Sequence, residues 1–327
     1  MHLINYLNRT LTDPYWPFFE VLYFIEVALL VIFIAISLPL MRAAWSTTYY
    51  HLNIRLRTVI SITLAELFVI SRIVIVTYQY FGDTNATSSA ILIASFIREA
   101  FICHATTIAS TLAIDRCIAI VAWEWYESGS IFTIFVLLTQ ECILSLWSGG
   151  MAVMVLFEIV PIHVIPTIII CIAVLGHSLL NVVYRLNDRA IKSLKKDPTV
   201  HSYSVSRSYQ LRENLKIIRV LLNIGRPLIV CSATSGFFYS LYAFMPVSFS
   251  TFRIFSIALF DFWMAITCVV VLLSLPIYEP RVIQNMGLNC RWKRRNVVRD
   301  CSTLHEVRKA DGDIYFDLLS KDLGQIV

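Results

Sequence analysis

The chain has 327 residues, of which 57% are hydrophobic and only 15% charged, with a formal net charge of +5. With a mean hydropathy of +0.70 it is too apolar for a soluble protein of this size and belongs in a bilayer. A spanning helix needs about 20 mostly apolar residues, and such runs lie at 19–41, 57–80, 89–121, 131–155, 164–184, 217–244 and 252–278. The expected fold is an all-α membrane protein, a seven-transmembrane helix bundle occupying 19–280. Ahead of it, residues 1–18 form a short segment without the basic start and apolar core of a cleavable signal peptide, and Tyr15, Trp16, Phe18 and Phe19 read as an interfacial belt for the first span. The fourth and fifth runs are separated only by FEIVPIHVIP, residues 157–166, whose two prolines and Glu158 favour a short turn.

Charges between the spans set the orientation. The first loop carries Arg42, Arg55 and Arg57 with no acid, and 185–219 carries nine lysines or arginines against Asp188, Asp197 and Glu213. These loops are expected inside the cell. The opposite side holds the two N-x-[ST] sequons, at Asn8 and Asn85, as expected glycosylation sites. The amino terminus is therefore expected outside and the carboxyl terminus inside. Cys103, Cys142, Cys171, Cys231 and Cys268 lie in spans, and Cys117, Cys290 and Cys301 at or beyond the inner edge, so no outer disulfide framework is expected. Residues 281–299 form a basic amphipathic juxtamembrane segment, where Cys290 is either palmitoylated or a free thiol at the membrane surface. The tail, 300–327, mixes acids, bases and small polar residues and is expected to be disordered and cytoplasmic.

The third span ends in TLAIDRCIAIV, residues 111–121, where Asp115 and Arg116 interrupt an apolar course. Two ionised groups at that depth need water or partners. Arg116 either marks the inner boundary, or pairs with its neighbour and adjacent helices until a shift of a facing helix releases it to a cytosolic partner.

Seven spans with an outer amino terminus, Asp-Arg at the inner end of the third and a basic third inner loop resemble a G-protein-coupled receptor. The finer resemblance, carried by LAIDRCIA, by Tyr126-Glu127 and by YSVSRSYQLRENLK at 203–216, is to the nematode serpentine chemoreceptors of the Sre family, class epsilon. The resemblance covers all but the tail after Arg299. It implies a chemosensory receptor at the plasma membrane, in sensory neuron cilia, with a small-molecule ligand, a heterotrimeric G protein and the lipid bilayer as partners, and with no cofactor and no nucleic acid. Departures from the rhodopsin-like pattern are Cys117 in place of the tyrosine after Asp-Arg, Ile91 where a cysteine precedes the arginine by 25 residues, and LPIYEP, 275–280, in place of Asn-Pro-x-x-Tyr. Coupling through the rhodopsin-like mechanism is thus an analogy.

In QLRENLKIIRVLL, residues 210–222, Leu211, Leu215, Ile218 and Leu222 make an apolar stripe flanked by Arg212, Lys216 and Arg219. This reads as an inward extension of the sixth helix whose basic side either is merely solvated or meets the G protein together with Asp115 and Arg116. Deeper charges are Glu66, Arg72, Arg98, Glu99, Glu141, Arg226 and Asp261, and such groups face one another or a water-filled cavity. Arg98 precedes Arg116 by 18 residues, about five helical turns or roughly 27 Å, so both should face the interior. Arg98, with Glu99 and Asp261, is either a ligand contact in an outward-opening pocket or a structural ion-pair clamp.

An enzyme is not expected: the histidines at 2, 51, 104, 163, 177, 201 and 305 show no metal-binding or protease spacing, and no catalytic or metal residues are assigned. The competing class is a multi-span transporter or channel for a small solute, although no repeat of two halves is visible.

Overall fold

The computed structural model describes residues 14–47, 52–81, 88–121, 131–161, 163–196 and 205–278, with 282, 285 and 286 beyond them. These form α1 (Trp16–Ser46), α2 (Leu52–Phe81), α3 (Ser89–Val121), α4 (Ile131–Leu156), α5 (Val164–Lys196), α6 (Val205–Phe244) and, after a 3-10 turn at Val247–Phe249, α7 (Ser250–Tyr278). There is no strand among the described residues. All seven helices are long and apolar enough to cross a membrane. The expected spans are met helix by helix. The main difference is at α5, which runs on to Lys196, while α6 has the extension expected of it, beginning at Val205; Asn187 of α5 bonds the Leu211 carbonyl of α6 between the two extensions.

Helix α3 is the inner member: it packs on α2, α4, α5 and α6, while α1 joins α2 to α7, and α6 closes the ring between α5 and α7. Three buried clusters hold this arrangement. One, near the Trp16 end, gathers Phe19, Tyr23, Val155, Ile165, Tyr239 and Phe260. A second joins α1, α2 and α7 through Leu30, Phe33, Phe68, Val69 and Leu272. The third, at the Arg116 end, joins α3, α5 and α6 through Ala113, Leu180, Val183 and Ile218. Outward faces stay apolar, as with Phe24, Phe135, Leu146 and Leu175, which suits hydrocarbon rather than water as the surrounding medium. Many serine and threonine hydroxyls in the spans bond back along their own helix, for instance Thr58 Oγ1 to the Ile54 carbonyl at 2.8 Å and Thr267 Oγ1 to that of Trp263 at 2.8 Å. This removes them as lone polar groups in lipid.

The expected turn between the fourth and fifth spans is present. Helix α4 ends with Glu158 N–H donating to the Val155 carbonyl and Ile159 N–H to that of Met154, at 3.2 and 3.0 Å. That is the Schellman arrangement, and it holds Glu158 at φ 57°. One glycine is needed for close approach: a Cβ on Gly176 of α5 would stand 2.5 Å from Ser110 Oγ and 2.9 Å from Ser110 N of α3.

Candidate functional site: two polar layers in the bundle

The first layer lies at mid-depth. Glu26, Arg72, Glu99, Arg98 and Asp261 sit 9 to 11 residues from the Trp16-side ends of α1, α2, α3 and α7, which at about 1.5 Å per residue is roughly 14–16 Å from that end for each. They meet as one network. Arg72 grips both oxygens of Glu26, Nε to Oε1 at 2.6 Å and Nη2 to Oε2 at 3.0 Å, and also reaches Asp261 Oδ2 at 3.2 Å. Arg98 Nη2 takes the other Asp261 oxygen at 2.6 Å, and its Nη1 bonds Glu99 Oε1 at 2.9 Å. None of the five is more than 5% exposed. The order is an alternating chain, Glu26–Arg72–Asp261–Arg98–Glu99, with a carboxylate at each end.

Asp261 is the bridge, which the sequence alone did not reveal. Both guanidiniums meet on it, so Arg98 is clamped by Asp261 and Glu99 together. Glu26 was missed altogether: Glu20 sits at the edge of the same apolar run, but Glu26 lies deep in it, and its demand for a partner at that depth was the available signal. Around the Glu99 end stand rings. Tyr239 lies 5.1 Å from Phe260 and 6.5 Å from Tyr242, centroid to centroid, and Arg98 lies 5.8 Å from the Phe260 ring. The hydroxyls of Tyr23 and Tyr239 are buried with no hydrogen-bond partner among the described residues.

The second layer is at the Arg116 end. Arg116 is 2% exposed, as the five-turn spacing from Arg98 requires. Its Nε donates to Asp115 Oδ2 at 3.1 Å and its Nη1 to Asn214 Oδ1 of α6 at 3.1 Å, while Asn214 Nδ2 returns a bond to the Arg116 carbonyl at 3.3 Å. Asn187 Nδ2 of α5 holds the Leu211 carbonyl of α6 at 2.8 Å. Sequence reasoning missed Asn214 and Asn187, which carry no charge and break no pattern. The apolar stripe of α6 does turn inward: Leu211 and Ile218 are 5% and 0% exposed. Arg219 is exposed and Arg212 and Lys216 are half-buried, so the basic side is only partly open.

Other charges divide. Arg57, counted above as a loop charge, is buried in α2: its Nη2 reaches Gln140 Oε1 at 2.6 Å and Glu141 Oε1 at 3.6 Å, with His104 Nε2 3.8 Å from the other Glu141 oxygen. Those α4 partners draw the side chain inward, which removes it from the loop charge count. Glu66 accepts from Ser37 Oγ at 2.6 Å. Arg226 departs from the expectation that deep charges face the interior, since it is exposed on α6. It lies 18 residues from Phe244, about 27 Å by helical rise, close to the far boundary of a hydrocarbon layer of about 30 Å, where a long side chain extends to the headgroups. Asn8, Asn85, Tyr126, Glu127, Cys290 and the tail 300–327 lie outside the described residues, as does most of 281–299.

None of the curated proteins is similar enough to match this chain. The family model described as Sre G protein-coupled chemoreceptor matches residues 4–322, nearly the whole sequence and every helix described above. The seven-helix, multi-pass membrane protein thus belongs to the Sre G protein-coupled chemoreceptor family, a receptor family, and has a chemosensory receptor role.

Proposed function

We propose that the chain binds a small-molecule chemical cue from outside the cell and signals to a cytoplasmic heterotrimeric G protein by rearrangement of α6. The amino terminus is placed outside, the Trp16 end of the bundle faces the exterior, and the Arg116 end faces the cytoplasm, in sensory cilia of the plasma membrane. Ligand recognition is assigned to the mid-depth layer at Arg98, Glu99 and Asp261, and coupling to Asp115, Arg116, Arg212, Lys216 and Arg219.

The observation that carries this reading is the tie between Arg116 and Asn214. A buried arginine tied to a neighbouring helix through an amide can act as a two-position element: with α6 displaced outward, the guanidinium exchanges that acceptor for one on a partner. Gly225 and Pro227 supply a weak point in α6, because the proline removes a ladder bond. The test is a panel of small molecules applied to cells expressing the chain, read by calcium or cAMP. An agonist response that Arg116→Ala abolishes at equal surface expression is expected; full signalling from that variant would remove the coupling role. For orientation, glycosidase treatment of surface protein should shift its mobility through Asn8 and Asn85. Absence of any shift would count against an outer amino terminus.

A further inference from the structure

The mid-depth network does not balance. Three carboxylates, Glu26, Glu99 and Asp261, face two guanidiniums, Arg72 and Arg98, which with all five ionised leaves one negative charge in surplus. The surplus falls at one place. Glu26 has both oxygens gripped by Arg72, and Asp261 has each oxygen on a different arginine, whereas Glu99 is the open end of the chain, held by Arg98 through Oε1. Across the Phe260 ring from Arg98 stands a further feature of this end, the Tyr239 hydroxyl, which is buried without a hydrogen-bond partner among the described residues. Tyr239 packs on the Phe260 ring at 5.1 Å, and that ring lies 5.8 Å from the Arg98 guanidinium that holds Glu99. Side chains of a helix tilt toward its amino end, and α6 rises from the Arg116 end, so Tyr239 leans down toward this layer. Phe260 and Tyr242 flank it with aromatic faces, which attract cations.

We infer that Glu99 and Tyr239 recognise a positively charged group, the protonated amine of a small organic ligand, held against the Phe260 and Tyr242 rings. An ammonium there donates to Glu99, neutralises the surplus, and leaves the Arg98 bridge to Asp261 intact. A carboxylate ligand would add to the surplus. A multivalent metal ion is a poor fit, since no group of three His, Cys, Asp or Glu side chains among the described residues is arranged to hold one. Arg253, the other cation near these rings, is already committed at the Trp16 end, donating to the Tyr242 carbonyl at 3.1 Å with its guanidinium 4.9 Å from the Tyr242 ring.

The inference rests on the receptor reading above, and its test reads binding without any G protein, so that failure of coupling and failure of amine recognition are told apart. The full chain in lipid nanodiscs is melted with 2-phenylethylamine, 2-phenylethanol or phenylacetate, three probes on one skeleton. The amine is expected to raise Tm saturably while the alcohol and the acid do not. Glu99→Gln, which keeps an oxygen for Arg98, should weaken the amine's apparent affinity at least about tenfold, and Tyr239→Phe about threefold. Should Glu99→Gln fail to fold, Tyr239→Phe carries the test. Equal or greater stabilisation by phenylacetate or phenylethanol, or none by the amine, would overturn the inference. So would an amine effect unchanged in the variants, or a Glu99-dependent rise in Tm on acidification without any amine effect, which would assign the vacancy to a proton.

Discussion

The two polar layers are built on opposite principles. At mid-depth, five charges from α1, α2, α3 and α7 are joined by bonds on nearly every oxygen and guanidinium arm. At the Arg116 end, the links from α6 to α3 and α5 run through neutral amides, Asn214 on Arg116 and Asn187 on the Leu211 carbonyl. A charge chain in a low-dielectric interior cannot be opened piecemeal without stranding a charge. A neutral amide can let go at a cost of a hydrogen bond or two. Under the proposed receptor mechanism, the difference suits a fixed α1–α2–α3–α7 frame and movement of α6 at the Arg116 end.

The largest effect expected from breaking this contrast is at Arg98. Arg98→Gln strands Glu99 and leaves Asp261 on Arg72 alone, at a cost of about 3–5 kcal/mol, and should sharply reduce folded protein at the cell surface. The choice of rescue sharpens the point. Adding Glu99→Gln removes the stranded acid and keeps Glu26, Arg72 and Asp261 bonded, whereas adding Asp261→Asn still leaves Glu99 without a partner. Surface expression should therefore recover better with Glu99→Gln. Better recovery with Asp261→Asn would show that the order of the chain is wrong.

A smaller effect is expected between the layers. Gly176 lets α5 lie against the Ser110 backbone, and Ser110 is six residues from Arg116 on α3. The methyl of Gly176→Ala must push α5 away, for about 1–3 kcal/mol as in overpacked cores. Because Asn187 ties α5 to α6, the push should also loosen the Arg116 layer. Thermal melting should show a lower Tm; an unchanged Tm would mean that α5 is not held close to α3.

Much of the fold was legible because bilayer chemistry writes it plainly: seven apolar runs, a proline-marked turn at 157–166, and two arginines whose spacing of 18 residues put both inside. What was not legible depends on which helix neighbours which. Asp261 pairs with two arginines because α7, packed on α1 and α6, brings it within reach of side chains from α2 and α3, and no local pattern encodes that meeting. Glu26 was hidden by its apolar surroundings. Arg57 sits where a loop charge and a buried charge look alike, and only Gln140 and Glu141 across the α2–α4 contact decide between them. Asn214 lay within the stretch that carried the family resemblance, yet a neutral amide gave no reason to single it out from Arg212 or Lys216.

The central claim is that the Arg116–Asn214 tie holds α6 in its resting position, and it is most directly tested by the basal signalling of Asn214→Leu at matched surface expression. Leucine keeps the volume and removes both bonds, one of them to a charged group and worth about 1.5–3 kcal/mol. That shifts a two-position equilibrium about tenfold or more. Agonist-free calcium or cAMP output should rise by about that factor while ligand binding persists. Basal output equal to that of the parent, from a variant that reaches the surface and still responds to agonist, would contradict the account.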